Sequence, residues 1–329
     1  MKKHSFPFFI SAFVIISLVC TIPTIYAASK SKAQIRTKQQ LRVVSTKASR
    51  TKLKSLSKDP YLGAIVIDAT TDKVLFEDNA DVRGYPASLV KMMNLLIILE
   101  AVDAGHITLQ DKIIVSAEAA EIGGSQVYLK EKEVFTVDDL LYALIVQSAN
   151  DAAVALALHY AGSKEGFINL MNKRAQELGM NDTVFHSVHG LPPGKGQLPD
   201  ISTPRDVTKL CRELLNHPDA LKYTSTKVRL FRTDAPEPFI MRNHNHLVGN
   251  YEGCDGLKTG YFRAAGFSIA ATAAKSGARV VAVIFGSVDS KVRDAKARKL
   301  LSKSLMEIAA KFPPPHVSVA QGVTASVNE

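Results

Sequence analysis

The chain has 329 residues, is 46% apolar and 22% charged, and contains three cysteines and no tryptophan. That composition excludes an intrinsically disordered chain, a collagen and a coiled coil. Its formal charge of +10 points to nucleic acid only until it is mapped, because residues 1–58 hold 12 lysines and arginines and no acid. The remainder then has 29 basic against 31 acidic side chains, so no basic face for DNA or RNA is expected. One apolar stretch, at the N-terminus, is long enough to concern a membrane, which excludes a polytopic membrane protein.

In chain order, Lys2, Lys3 and His4 precede an apolar run over residues 6–19, followed by Pro23 and small residues up to Ala27. A charged start, a short apolar stretch and a small-residue cleavage site predict export, with residues 1–27 as a signal peptide. Val19 before Cys20 is bulkier than a lipoprotein cleavage site accommodates. An uncleaved anchor over residues 6–28 stays open, since that length could nearly span a bilayer. Residues 28–58, rich in Ser, Lys, Arg, Thr and Gln, read as a basic flexible tether. Residues 30–58 could touch anionic membrane or wall polymer peripherally.

The globular region is expected to begin at Asp59 and run to residue 311. Residues 61–69 and 73–78 read as two strands around a turn at Thr70-Thr71-Asp72. Helical patterns follow over residues 88–104, from Thr136 to about Gln147, over 151–161, and over 164–178 with Gly179 as its stop. A further helix covers 203–216 with Pro204 at its first position. The period then changes: residues 267–274 and 278–285 flank Lys275-Ser276-Gly277 as a hairpin of central apolar strands. A terminal helix over 290–311 is stopped by prolines at 313–315, and 312–329 read as a disordered tail. Strands at both ends with helices between them imply an α/β (α+β) fold, in which an antiparallel sheet is flanked by helices and a helical subdomain is inserted.

Three short segments could bear chemistry. In Pro86-Ala87-Ser88-Leu89-Val90-Lys91, a serine and a lysine three apart at the first turn of a helix share a face. A buried lysine of lowered pKa can take the proton of a serine hydroxyl, and a helix N-terminus offers N–H donors to an oxyanion. The same spacing recurs at Ser29, Ser49 and Ser55 in the tether, so context distinguishes Ser88. Ser148-Ala149-Asn150 lies in a break between helices, where it presents a hydroxyl and an amide; capping of the next helix is the plainer role. Lys258-Thr259-Gly260 supplies a cation, a hydroxyl and a position without a side chain at a strand edge. Lys275-Ser276-Gly277 matches it formally but sits in a hairpin turn.

Taken in order, Ser88-x-x-Lys91, Ser148-x-Asn150 and Lys258-Thr259-Gly260 resemble the signature of the penicillin-recognising serine acyl-transfer enzymes. Tyr85-Pro-Ala-Ser-Leu-Val-Lys, Ser148-Ala-Asn-Asp-Ala-Ala, His189-Gly-Leu-Pro and Asp255-Gly-Leu-Lys-Thr-Gly-Tyr are similar to the low-molecular-mass D-alanyl-D-alanine carboxypeptidases over roughly residues 58–311. The resemblance implies a β-lactamase and penicillin-binding-protein transpeptidase-like fold and a monomer acting without cofactor. Its substrate would be a peptidoglycan stem peptide ending in D-Ala-D-Ala, and β-lactams would be covalent inhibitors. It further implies Ser88 as nucleophile, Lys91 as general base, and Ser148 with Asn150 on the proton route and the substrate amide. Lys258 and Thr259 would hold the terminal carboxylate, with Arg293 nearby, and the N–H groups of Ser88 and Tyr261 would form the oxyanion hole beside Gly260. Lys258 is also placed to depress the pKa of Lys91.

Other readings are weighed against this one. Glu177-Leu-Gly-Met-Asn181 matches a β-lactamase pattern for a deacylating base, but Glu177 ends a periodic helix and is read as structural. His186, His189, His244 and His246 could bind zinc, yet no His-Glu-x-x-His occurs, and no metal is expected. Cys211 and Cys254 are read as buried thiols, with a disulfide not indicated. The resemblance also implies a shorter, single-domain member, of the kind that includes D,D-endopeptidases. A non-catalytic wall-binding module is the alternative of another class, and the intact motifs argue against it.

Overall fold

The computed structural model describes residues 53–311. The signal-peptide and tether assignments, apart from the last residues of the tether, and the C-terminal tail lie outside these residues. Strands β1 (Gly63–Asp68) and β2 (Val74–Asp78) form the expected hairpin. A tight 3₁₀ turn, Ala87–Val90, leads into α1 (Lys91–Asp103). A small ribbon, β3 (Lys112–Ile114) and β4 (Val134–Thr136), encloses the short α2 (Ala117–Ala120). Helices α3 (Val137–Val146), α4 (Asn150–Ala161), α5 (Lys164–Glu177), α6 (Pro204–Leu215) and α7 (Pro218–Thr224) follow. A second ribbon, β5 (Val228–Phe231) and β6 (Phe239–Arg242), precedes β7 (Cys254–Phe262), β8 (Gly266–Lys275), β9 (Ala278–Ser287) and the terminal α8 (Ser290–Lys311).

The main sheet has the order β2-β1-β9-β8-β7 with antiparallel pairing throughout. The first strand of the fold therefore pairs with the last, Ile65 opposite Val283, and closes the sheet as the sequence implied. Alternation along the strands sends side chains into two cores. Ala64, Val66, Ile269, Ala271, Ala282 and Ile284 pack with Ala297, Leu301 and Leu305 of α8. Ile65, Ile67, Val281 and Val283 face the helical side, packing with α1 and its neighbours. Because both faces are covered, β8 and β9 are apolar nearly throughout, and their many alanines leave room for helices.

Helix α1 is buried over almost its whole circumference, from Lys91 to Leu99, as a helix apolar all round must be. Helix starts follow local chemistry. Thr136 accepts from Asp139 N–H while the Asp139 side chain reaches back, Ser163 accepts from Gly166 N–H, and Thr203 caps the Pro204 turn. Among the described residues no helix is long and apolar enough to cross a membrane. Cys211 and Cys254 are both free and buried.

Candidate active site

Ser88 is presented not by a regular α-helix but by the 3₁₀ turn, which corrects the helix expected from residue 88. The proline at 86 has no N–H to donate, and Ala87 is held at φ +51°, a left-handed conformation that costs an alanine about 1 kcal/mol or more. In a turn of three residues, positions i and i+3 eclipse one another. Lys91 therefore stands directly above Ser88, and its Nζ donates to Ser88 Oγ at 3.2 Å.

Lys91 Nζ has two further partners, Asn150 Oδ1 at 2.7 Å and the His189 carbonyl at 2.6 Å. Both are acceptors only. When the amine is neutral it keeps two N–H donors for them, and its lone pair is left facing Ser88, the one partner with a proton to give. Burial, foremost, and the charge of Lys258 push the Lys91 pKa well below its ordinary value, while Asp151 and Asp200 pull it back up. The cation inferred from sequence is thus present, but desolvation is the larger cause.

Asn150 opens α4 and is held at both ends, its Nδ2 donating to the Gly123 carbonyl at 2.7 Å. Gly124 packs against this amide so closely that a Cβ there would lie 2.6 Å from Asn150 Nδ2. The buried Asp151 carboxylate accepts from Val127, Leu129 and Ala152 N–H and so pins the same wall. Ser148 sits between α3 and α4 at φ +59°. Its hydroxyl has no protein hydrogen-bond partner among the described residues, whereas the Asn150 side chain is committed to Lys91.

The opposite wall is β7, an edge strand of the sheet. Lys258 is buried, donates to the Thr259 carbonyl at 3.0 Å, and is pushed down to about 7 by burial and by Arg293. A Cβ on Gly260 would lie 2.5 Å from the Pro86 carbonyl and 3.2 Å from Ser88 N, so the absent side chain is what lets β7 approach Ser88. Tyr261 is half exposed, its ring stacked on Phe267 at 4.1 Å. Arg293, buried in the first turn of α8, pairs with Asp294 at 2.7 Å and approaches the Ser268 carbonyl at 3.4 Å.

The structure thus brings Ser88, Lys91 and Asn150 into direct contact and packs Gly260 on the Ser88 turn. Lys258 and Arg293 act on the site through charge, and no hydrogen bond joins them. The sequence reading singled out His189-Gly-Leu-Pro as family-like text, but not the His189 carbonyl that completes the lysine's shell, nor Asp200 behind it. Nothing local marks a carbonyl acceptor 98 residues away from its donor.

The alternative candidates lie in other surroundings. Glu177 ends α5 and pairs with Lys173 and Arg174. His189 is half-buried and its Nδ1 accepts from Leu191 N–H, desolvation and Lys91 holding its pKa near 3. His244 has its outer side exposed, and partial desolvation with the charges of Lys258 and Lys91 holds it to about 4. Among the described residues the one grouping spaced for a cation is Glu100, Glu213 and His217. The Arg174 guanidinium already bonds both glutamates.

Comparison with known proteins places this geometry in context. Residues 62–289 match the family model described as D-alanyl-D-alanine carboxypeptidase. The chain is 38% identical over 238 residues to the D-alanyl-D-alanine carboxypeptidase DacF of Bacillus subtilis, covering 72% of this chain and 60% of that protein. It is 28% identical over 262 residues to the D-alanyl-D-alanine endopeptidase of Escherichia coli, covering 78% and 80%. The solved structure of Escherichia coli penicillin binding protein 6B superposes with a TM-score of 0.68 at 31% identity, over 78% of this chain and 80% of that one. The chain spans about three fifths of the length of the curated carboxypeptidases that it matches.

Proposed function

The chain belongs to the D-alanyl-D-alanine carboxypeptidase family, and on that premise we propose that it is itself a serine-type D-Ala-D-Ala carboxypeptidase of the cell wall. The observation that carries the reading is the shell of Lys91, which leaves a neutral amine one direction for its lone pair, towards Ser88. Ser88 Oγ attacks the carbonyl of the penultimate D-Ala while Lys91 takes its proton. The N–H groups of Ser88 and Tyr261 receive the developing oxyanion. The C–N bond then breaks, and the proton returns to the leaving D-alanine amine by way of Lys91 and the unpartnered Ser148 hydroxyl. Water hydrolyses the ester on Ser88 and restores the enzyme. Lys258 and Thr259, with Arg293 behind them, hold the peptide's terminal carboxylate, and Asn150 keeps Lys91 in place with one amide proton left for the substrate.

Penicillins would acylate Ser88 through their strained amide, since it presents the same carbonyl and carboxylate. The enzyme would act as a monomer outside the cytoplasm, in the periplasm or at the wall. Residues 1–27 would direct export, and residues 30–58 would lie against anionic surfaces. The likeness to the endopeptidase, spanning 80% of that protein, supports a second reading in which the same residues cut D-alanyl crosslinks. Intact-mass analysis after mixing with penicillin should show one adduct on Ser88, abolished by Ser88→Ala. D-alanine released from diacetyl-Lys-D-Ala-D-Ala identifies the carboxypeptidase, and cleavage of crosslinked muropeptides to monomers without D-alanine release identifies the endopeptidase. A folded protein without an adduct would overturn both.

A further inference from the structure

Between α5 and α6 the chain makes a loop that lies against the nucleophile. Its base is closed by Val184 and Ile201, which exchange both backbone hydrogen bonds at 2.9 and 3.0 Å. Asn172 of α5 clamps Phe185 by donating to its carbonyl and accepting from its N–H, each at 2.8 Å. Inside the loop sits Asp200, only 5% exposed. Its Oδ1 accepts from His186 N at 2.6 Å and Ser187 N at 2.9 Å, and its Oδ2 accepts from Ser187 Oγ at 2.7 Å. Ser187 Oγ in turn accepts from Gly190 N at 2.8 Å. All three contacts to Asp200 are donors, so the loop is organised around the ionised carboxylate.

Two consequences reach the active site. The Gly190 backbone, at φ +80°, presses so hard on the Ser88 turn that a Cβ there would lie 2.0 Å from the Ala87 carbonyl. One residue earlier, the His189 carbonyl receives Lys91 Nζ. We propose that Asp200 is a positioning residue for Lys91, holding the loop that aims the His189 carbonyl and adding negative charge to a site crowded with cations. The proposal rests on the reading of Lys91 as the base of Ser88.

The groups that face Lys91 are Lys258 of β7, His189 of this loop, His244 after β6, Asp151 of α4 and Asp200. Asp200 is faced by His186 and Lys91. The anionic Asp200 favours the ammonium form and so opposes Lys258. Its removal makes the neutral amine available at lower pH, and the acid limb of acylation moves down. Loss of the Ser187 hydroxyl, by contrast, loosens the loop and leaves the charge in place.

The test is the rate of acylation by a fluorescent penicillin from pH 4 to 9, per folded protein, in the full-length chain. Asp200→Asn should lower the acid limb by about half a pH unit or more. Ser187→Ala should slow acylation by about tenfold with the limb unmoved. A limb unmoved by Asp200→Asn, together with Ser187→Ala rates within about twofold of the parent, overturns the positioning role while Ser88 labelling leaves the site reading intact. Labelling that survives Ser88→Ala overturns both. Should Asp200→Asn fail to fold, the Ser187→Ala rate alone decides.

Discussion

A lysine amine kept in the folded core costs stability through lost solvation. Lys91 and Lys258 are both fully buried, and their desolvation is the first cause of their lowered pKa values. For Lys258 the sign follows from linkage. Its folded value is about 7 against an ordinary 10.5, so at neutral pH the unfolded chain binds the proton more readily and the residue opposes folding. Lys258→Met keeps the length and removes the cost. It should raise the melting temperature by about 2–4 °C for each kcal/mol recovered. It should also lower penicillin acylation by ~100-fold or more, the value of a charge-assisted hydrogen bond to a carboxylate. Scanning calorimetry and acylation kinetics on one preparation would check both halves. Residue identity was the most legible level: the three motifs, taken together, put forward Ser88, Lys91 and Asn150, which the fold brings into contact, and Lys258, whose charge reaches them. What spacing could not give was the state of Asn150, whose carbonyl oxygen is committed to Lys91 and whose amide proton to Gly123.

Elements were legible in proportion to how local their causes are. Helices α3, α5 and α6 begin where Thr136, Ser163 and Thr203 accept the first free N–H groups, and such caps are written in a few consecutive residues. The β1–β2 and β8–β9 hairpins likewise follow from apolar runs around short turns. Ribbons β3–β4 and β5–β6 escaped notice because strands of three or four residues carry no period, and Lys112 finds Thr136 only through the fold. The 3₁₀ turn escaped for a different reason, since its residues are equally compatible with a helix and its geometry is imposed by β7 and Gly190 on either side. Gly260→Ala tests that imposition. The new methyl would meet the Pro86 carbonyl at 2.5 Å, and backbone atoms cannot yield as a side-chain end does. Acylation should fall by ~100-fold or more, with the far-ultraviolet circular dichroism spectrum preserved. A variant as fast as the parent would show that β7 does not set the site.

At the scale of the molecule, the candidate site is a seam between the helical side and the sheet. The helical side contributes Ser88, Lys91, Ser148 and Asn150, and the sheet contributes β7 and, behind it, Arg293. Two histidines line that seam as well, His189 half-buried and His244 exposed on its outer side. His189 and His244 have folded values near 3 and 4 against an ordinary 6.5. As pH falls below 6.5 the unfolded chain takes up two protons that the folded chain refuses, so stability present above 6.5 is lost on acidification towards 4. The melting temperature should therefore fall across that window. The slope should flatten in a His189→Gln, His244→Gln double variant, and an equal slope in both proteins would count against this origin.

The sequence by itself determined the class of the fold, the starts of α3, α5 and α6, the closure of the sheet by its terminal strands and the candidates Ser88, Lys91 and Asn150 that the fold brings together. Each of these follows from apolar period, capping chemistry or residue type over short stretches of chain. Only the tertiary structure decided the tight turn under Ser88, the third acceptor on Lys91, the approach of Gly260 and the service of Asp200 to the 186–190 loop. These depend on contacts between residues far apart in the chain, and an unmade contact leaves no trace in the order of the residues.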